Sequence, residues 1–485
     1  MYILQDLLSF IPEATLIVMC FSVLFIRLAA ADVKQHEYVF IASQVSLLIT
    51  FIALLWCQSL ATPGFSFHEL WVADKLAYNI KEVLTVFAMV IFAYGYGYLE
   101  DSGSAKGDYY ILAILSLFGM FVMVSAANML TAFLGLEVMS LPMYAMVALW
   151  RAEHNCVEAA LKYFITGAIA TCLLLYGFSL LYGVTASLSF VGIKEYLAVK
   201  EHVTGFMLTF SLAFIVAGFA FKLGAVPFHM WMPDIYEGSP TPVTMFVASL
   251  PKIATVILML RLFDYALPEL STIWGGLLTI VAILSIVIGN IIAVAQKNLK
   301  RLLAYSSIAH MGYLMLGFVA FNINGSAAAL FYVLMYALAT IAIFGIMLSV
   351  KSKNNYLNNI SDLANLHAFH PLQALIVLIT LFSMAGVPPI VGFIAKMWIF
   401  SSLIVAHKTM LAIIAVLFTL IGAFYYIKVI KVMYFNDKEE PAQHSLVMTS
   451  SKNVILIING ALILLLGLFP TKLLLVCSEL LKDLV

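Results

Sequence analysis

The chain has 485 residues, 64% of them hydrophobic and 10% charged, with a mean hydropathy of +1.06; soluble globular chains do not reach such values, and a polytopic membrane protein does. The 25 basic and 25 acidic residues balance, and without a long basic tract nucleic acid is not an expected partner. Cys20, Cys57, Cys156, Cys172 and Cys477 show no CxxC or clustered spacing, so neither an iron–sulfur site nor a protein-bound metal is expected in the chain, and the five are read as buried thiols.

A bilayer core of about 30 Å takes about 20 apolar residues per helix. Fourteen apolar runs answer to this, centred near residues 21, 47, 87, 117, 138, 170, 217, 251, 284, 311, 338, 388, 421 and 464, and the loops between them are short. The first run carries Asp6 and Glu13 but no Lys or Arg before its centre, so it reads as a first span rather than a cleaved signal peptide. Of the 25 Lys and Arg, thirteen fall in loops after odd-numbered spans and eight in loops after even-numbered spans or at the C-terminal end. The positive-inside rule then places the odd loops in the cytoplasm and both termini outside.

Four lysines remain, Lys162, Lys222, Lys252 and Lys396, and all lie within predicted spans. Among the acids only Glu137 reads as comparably deep. A central charge costs roughly 2.5 to 3.5 kcal/mol on an insertion scale, which folding alone gives no reason to accept. Snorkelling to the headgroups is the bland reading for Lys162, a few residues into its span. Glu137, Lys222, Lys252 and Lys396 sit too deep for it, and a buried lysine with a nearby carboxylate can load and release a proton. Of ten histidines only His229 and His310 read as lying in or against spans; each is either a proton relay or a satisfied interior group.

The seventh span, about 205–232, is interrupted by Pro227, and the twelfth, about 371–405, contains GVPP with Pro388 and Pro389. Proline removes a helix hydrogen bond, so both read as discontinuous helices, of the kind that marks ion paths in transporters. Taking spans 4–8 and 9–13 as two five-helix units makes each broken helix the fourth of its unit; five being odd, the second unit is inverted. The expected organisation is therefore all-α with about 14 transmembrane helices: residues 1–100 an N-terminal three-helix segment, 101–265 the first repeat, 266–435 the second, inverted repeat, and 436–485 a C-terminal helix.

The runs FLGLEVMSLPMYAM (133–146), EAALKYFITGA (158–168), GFAFKLGAVPFHMWMPDIYEGSPTPV (218–243), NLKRLLAYSSIAHMGY (298–313) and GVPPIVGFIAKMW (386–398) together resemble the antiporter-like subunits of proton-pumping NADH:quinone oxidoreductase, respiratory complex I. The resemblance is strong over roughly residues 100–435. A lysine at 396 and a single span after the second repeat are similar to the subunit N branch rather than the branches with a glutamate there or a long lateral extension. The resemblance implies Glu137 and Lys222 as an ion pair, Lys252 as central relay, His310 on the crossing path, Lys396 as terminal lysine, and Lys162 and His229 as modulators or relays. It further implies a multi-pass protein of the bacterial inner (plasma) membrane, partnered by neighbouring antiporter-like and small membrane-arm subunits. FMN, iron–sulfur clusters, NADH and quinone would be handled by other subunits, with no cofactor in this chain. The same motifs occur in multisubunit cation/proton antiporters and membrane-bound hydrogenases, which is the alternative; a purely structural membrane subunit is the third reading.

Overall fold

A computed structural model describes residues 2–30, 34–60, 63–102, 107–199, 205–352, 355–435, 444–446 and 450–482. Lys106, Lys200, Lys353 and Lys438, counted above among the loop cations, lie outside the described residues. Nineteen helices follow in chain order among them: α1 Tyr2–Ala29, α2 Gln35–Leu60, α3 Lys75–Ser102, α4 Asp108–Val124, α5 Met129–Val147, α6 His154–Thr185, α7 Phe190–Val199, α8 Phe206–Leu223, α9 Trp231–Gly238, α10 Thr241–Met259, α11 Ser271–Val294, α12 Leu299–Val319, α13 Ile323–Met347, α14 Leu366–Phe369, α15 Pro371–Ala385, α16 Val391–Val405, α17 Thr409–Phe435, α18 Ser450–Leu468 and α19 Thr471–Lys482. Strands are confined to loops, as a hairpin of Gly64–Ser66 with Trp71–Ala73 and a three-stranded patch of two- and three-residue segments.

Eleven of these helical stretches are long and apolar enough to cross a membrane, and the α18–α19 pair, bent by 82°, makes a twelfth if taken as one span. The chain is thus a mostly helical, multi-pass membrane protein. The remaining expected runs are occupied by shorter apolar helices: α4 near residue 117, and α15 with α16 around 388. Asparagines set several starts. Asn128 accepts from Leu130 N at 2.8 Å, Asn298 from Arg301 N at 3.1 Å and Asn322 from Gly325 N at 2.8 Å, each satisfying an amide that the first turn leaves without a partner.

The interior is built on α10, α12 and α13. The most apolar windows of α10 and α13 are buried over their whole length and that of α12 over 94%, whereas only 28% of the α17 window and 33% of the α1 and α2 windows are covered. Helices apolar on all faces are stable in the middle of such a bundle because neither face needs water.

Burial corrects the sequence reading of charge. Glu137, expected deep, is only half-buried, and the deepest acid pairs elsewhere: Glu13 on α1 and Lys81 on α3 form an ion pair of 2.5 Å with side chains 0% and 1% exposed. Lys81 also lies 5.0 Å from the Trp71 ring centre, an electrostatic attraction in its own right. Arg261 is buried, donating to both carboxylate oxygens of Asp74 at 2.8 and 3.0 Å and through Nε to Val124 O at 2.7 Å. Asp74 also accepts from Ala77 N at 2.7 Å, so one carboxylate starts α3 and ties it to the π-turn Leu260–Ala266 that follows α10. Histidine is corrected too: His36, on α2, is buried and stacked on Tyr96 at 4.7 Å. Cys172 is exposed, not buried; the other four cysteines are buried and all five are free.

Candidate proton-relay site

Both expected interruptions are present. α8 ends at Gly224, in the left-handed region at φ 72°, where a Cβ would fall 1.8 Å from Met232 Cε; a residue with a side chain is strained there. The carbonyls released at this end are reclaimed locally. Gly224 N donates to Phe221 O at 2.9 Å, Ala225 N to Ala220 O at 2.7 Å and the Trp231 indole to Phe221 O at 3.1 Å. Pro227 and the buried His229 lie in the segment between α8 and α9.

Lys222 occupies the last turn of α8 and donates to Ser140 Oγ at 2.9 Å. Glu137 lies three residues before Ser140 on α5, one turn away on the same face. The ion pair implied by the resemblance is not closed: no Glu137–Lys222 contact within 4.0 Å occurs, and Glu137 Oε1 has no hydrogen-bond partner. Both side chains are half-buried, on a flank where Leu134, Leu141 and Met230 are exposed.

Lys252 is sealed. It lies on α10, which runs unbroken through Pro251, and is 1% exposed. Its ammonium donates to Tyr336 OH at 3.1 Å, to Tyr236 OH at 3.3 Å and to Ser307 Oγ, while Tyr336 OH donates to Ser307 Oγ at 2.8 Å. The Tyr336 ring centre stands 4.7 Å from Nζ. All three N–H groups of a lysine are therefore used by neutral oxygens, and no carboxylate neutralises it.

His310, one turn beyond Ser307 on α12 and also buried, continues the line. Its Nδ1 shares a bond of 2.7 Å with Tyr332 OH, its Nε2 one of 3.0 Å with Tyr426 OH, and Tyr426 OH is bonded to Ser306 Oγ. A cavity of about 20 Å³ then separates His310 from Lys396, lined also by Tyr332, Tyr336 and Ser383. That is room for one water with several polar partners.

Lys396 follows the second interruption. α15 ends at Gly386, φ 85°, and the Lys396 side chain from α16 returns to donate to Met384 O and Ala385 O, both at 3.0 Å. These are the last carbonyls of α15, which have no helical partner. A Cβ on Gly386 would stand 3.0 Å from Lys396 Cδ, so this glycine also makes room for the lysine. The Tyr313 ring centre lies 5.1 Å from Nζ, and Tyr313 OH bonds Asn290 at 3.3 Å and Thr419 at 3.2 Å.

Lys162 stands apart from this buried line. Its side chain is 44% exposed and paired with Glu158 at 2.8 Å and Asp234 at 2.7 Å. Asp234 also binds Arg301 at 3.1 Å, and Arg301 binds Glu237 at 2.8 Å. Sequence reasoning missed Tyr236, Tyr332, Tyr336 and Tyr426. The available signal was the i, i+4 spacing of Tyr332 and Tyr336 in the apolar stretch Ala327–Ala339 of α13, which puts both hydroxyls on one face.

An all-helical bundle with two broken helices and a buried file of lysines, histidine and hydroxyls has the features that mark the ion paths of membrane transporters. The family described as NADH:quinone oxidoreductase/Mrp antiporter, transmembrane, matches residues 126–422. NADH-quinone oxidoreductase subunit N of Coxiella burnetii is 41% identical over 471 residues, 96% of this chain and 97% of its own length. The protein of the same description from Thioalkalivibrio sulfidiphilus is 41% identical over 469 residues, 96% of each chain. Among solved structures, a chain of respiratory complex I from Thermus thermophilus is similar at 30% identity and a TM-score of 0.80, covering 96% of this chain and 98% of that one. A chain of the Mrp complex of Dietzia shares the fold, with a TM-score of 0.82 at 19% identity over 99% and 97% of the two chains. The chain belongs to the NADH:quinone oxidoreductase/Mrp antiporter family of transmembrane subunits.

Proposed function

We propose that this chain is the proton-translocating subunit N of a bacterial NADH:quinone oxidoreductase, set among other membrane-arm subunits in the inner membrane. The observation that carries the reading is the buried file of Lys252 with Ser307 and Tyr336, His310 with Tyr332 and Tyr426, and Lys396, three groups whose members Tyr336, His310 and Lys396 share the lining of one water-sized cavity. Full-length relatives of that description support subunit N over the cation/proton antiporter reading. Lys252 is the central relay, His310 the crossing group and Lys396 the terminal lysine. Glu137 and Lys222 form an open pair that gates transfer: when Lys222 turns from Ser140 to Glu137 its proton is held more tightly, and when it turns back the proton is released. Lys162 and His229 modulate the first break. FMN, iron–sulfur clusters, NADH and quinone belong to partner subunits, which supply the energy.

The finer architecture is part of the same proposal. Counting α4 as one span, and α8 with α9 and α15 with α16 as single broken spans, makes fourteen crossings with α18. Residues 1–100, 101–265, 266–435 and 436–485 are then the N-terminal segment, two mutually inverted repeats and the C-terminal helix, with both termini on the outer, periplasmic side. Affinity purification of the tagged chain in mild detergent tests the reading. Recovery with flavin and iron–sulfur subunits and inhibitor-sensitive NADH:quinone reductase activity is expected; recovery with small membrane subunits alone, without redox activity, contradicts it.

A further inference from the structure

Lys300 is the second residue of α12 and falls, in the sequence, among loop cations. In the fold it is 4% exposed. Among the described residues its one hydrogen bond is donated to Ser239 O at 2.9 Å, and no carboxylate lies within ion-pair distance of it. A lysine has three N–H donors, so this buried ammonium is held by one backbone oxygen and is otherwise uncommitted. The next residue, Arg301, turns the opposite way and binds Asp234 and Glu237. A surface pocket of about 290 Å³ opens there, lined by Glu158, Lys162, Asp234, Glu237, Gly238 and Arg301. Lys300 thus sits behind the wall of a charged, open vestibule, with Glu237 and Cys156 the ionisable groups acting on it.

Buried hydroxyls line the inner side of that wall. Ser239 Oγ and Thr244 Oγ1 are 2.8 Å apart and both buried, and Thr244 Oγ1 donates to the backbone carbonyl of Tyr236 at 3.3 Å. Tyr236 carries its hydroxyl to 3.3 Å from Lys252 Nζ. α9 therefore has two faces, Asp234 and Glu237 on the vestibule and Tyr236 on the central lysine, with Lys300 and Ser239 at the end where they meet.

We propose that Lys300 is a further proton-relay residue, an inlet that passes protons from this vestibule towards Tyr236 and Lys252 without passing through Lys222. The step moves a proton and nothing else: the neutral Lys300 amine takes a proton entering from the vestibule, forming one N–H bond, then breaks one N–H bond in giving a proton to a water on its inner side, which passes a proton to the Tyr236 hydroxyl as that hydroxyl gives its own to the neutral Lys252 amine. A lysine suits this because it titrates readily when buried, whereas arginine keeps its charge. The inference rests on the proton-translocating reading above.

The test is NADH-driven proton uptake by proteoliposomes holding the whole complex, with K300R, K300Q and K252M. K300R and K300Q each keep an N–H for Ser239 O, so a merely structural Lys300 is rescued by one or both. A relay is not: both variants are expected to pump at least about tenfold more slowly, short of the roughly hundredfold loss for a proton-transfer group with no parallel route. Wild-type pumping in K300R, with pumping lost in K252M, overturns the inlet alone. Wild-type pumping in K252M overturns the translocation reading and the inlet with it. If K300Q does not assemble, K300R decides.

Discussion

The two broken helices share a plan and differ in what they do with it. Each stops at a glycine with positive φ, passes a proline, and resumes as a second helix. At the first, backbone amides and the Trp231 indole reclaim the freed carbonyls of Ala220 and Phe221, and Lys222, placed before the break, is left to a single hydroxyl on a half-open flank. At the second, Lys396, placed after the break, itself satisfies the freed carbonyls of Met384 and Ala385 and is sealed from the surface. One lysine is held by its break and the other is released by it. A fixed lysine and a movable one follow from the same interrupted helix, according to which side of the glycine carries the charge.

The comparison breaks most visibly at Lys396. K396M leaves two buried carbonyls without donors, at about 1–3 kcal/mol each, so both the thermal stability of the purified complex and proton pumping are expected to fall. K222M removes only a bond to Ser140 and is expected to lose pumping with a much smaller loss of stability; equal destabilisation by the two substitutions would erase the distinction. Next in size are the glycines. G386A and G224A each place an L side chain in the left-handed region, costing about 1–2 kcal/mol. G386A alone crowds Lys396, so pumping at matched assembly should be lower in G386A than in G224A, whose new Cβ meets the mobile end of Met232. W231F withdraws one donor from Phe221 O, for about 1 kcal/mol, seen as a lower melting temperature with pumping retained. The smallest stability effect belongs to E137Q. Glu137 Oε1 has no partner to lose, so the expected change is within about 0.5 kcal/mol, while slower pumping registers the missing charge of the gate.

What the sequence discloses follows from energetics. Lys222, Lys252, Lys396 and His310 stand out because a polar group amid a long apolar run is costly and must be explained by function; the breaks stand out because proline interrupts a helix wherever it lies. Lys81, Arg261 and Lys300 do not stand out. They lie within a few residues of helix ends, or inside the π-turn at Leu260–Ala266 that follows α10, where a cation reads as a loop residue unless the packing of distant helices is known. The tyrosine hydroxyls are equally silent, since tyrosine is common at membrane interfaces and only the crossing of α12, α13 and α17 selects Tyr332, Tyr336 and Tyr426 from the 23 in the chain. The open Glu137–Lys222 pair is a choice between side-chain conformers one turn apart, which residue identity does not contain.

The proposed proton path stands or falls on His310. The decisive measurement is the initial rate of NADH-driven proton pumping by proteoliposomes carrying the fully assembled complex with H310F, which keeps an aromatic ring of similar size and removes both nitrogens that bond Tyr332 and Tyr426. A loss of roughly a hundredfold, the scale for removing a proton-transfer group, is expected, with the partner subunits still present in wild-type amounts. Pumping at the wild-type rate in that assembled complex would contradict a proton path from Lys252 to Lys396 through His310.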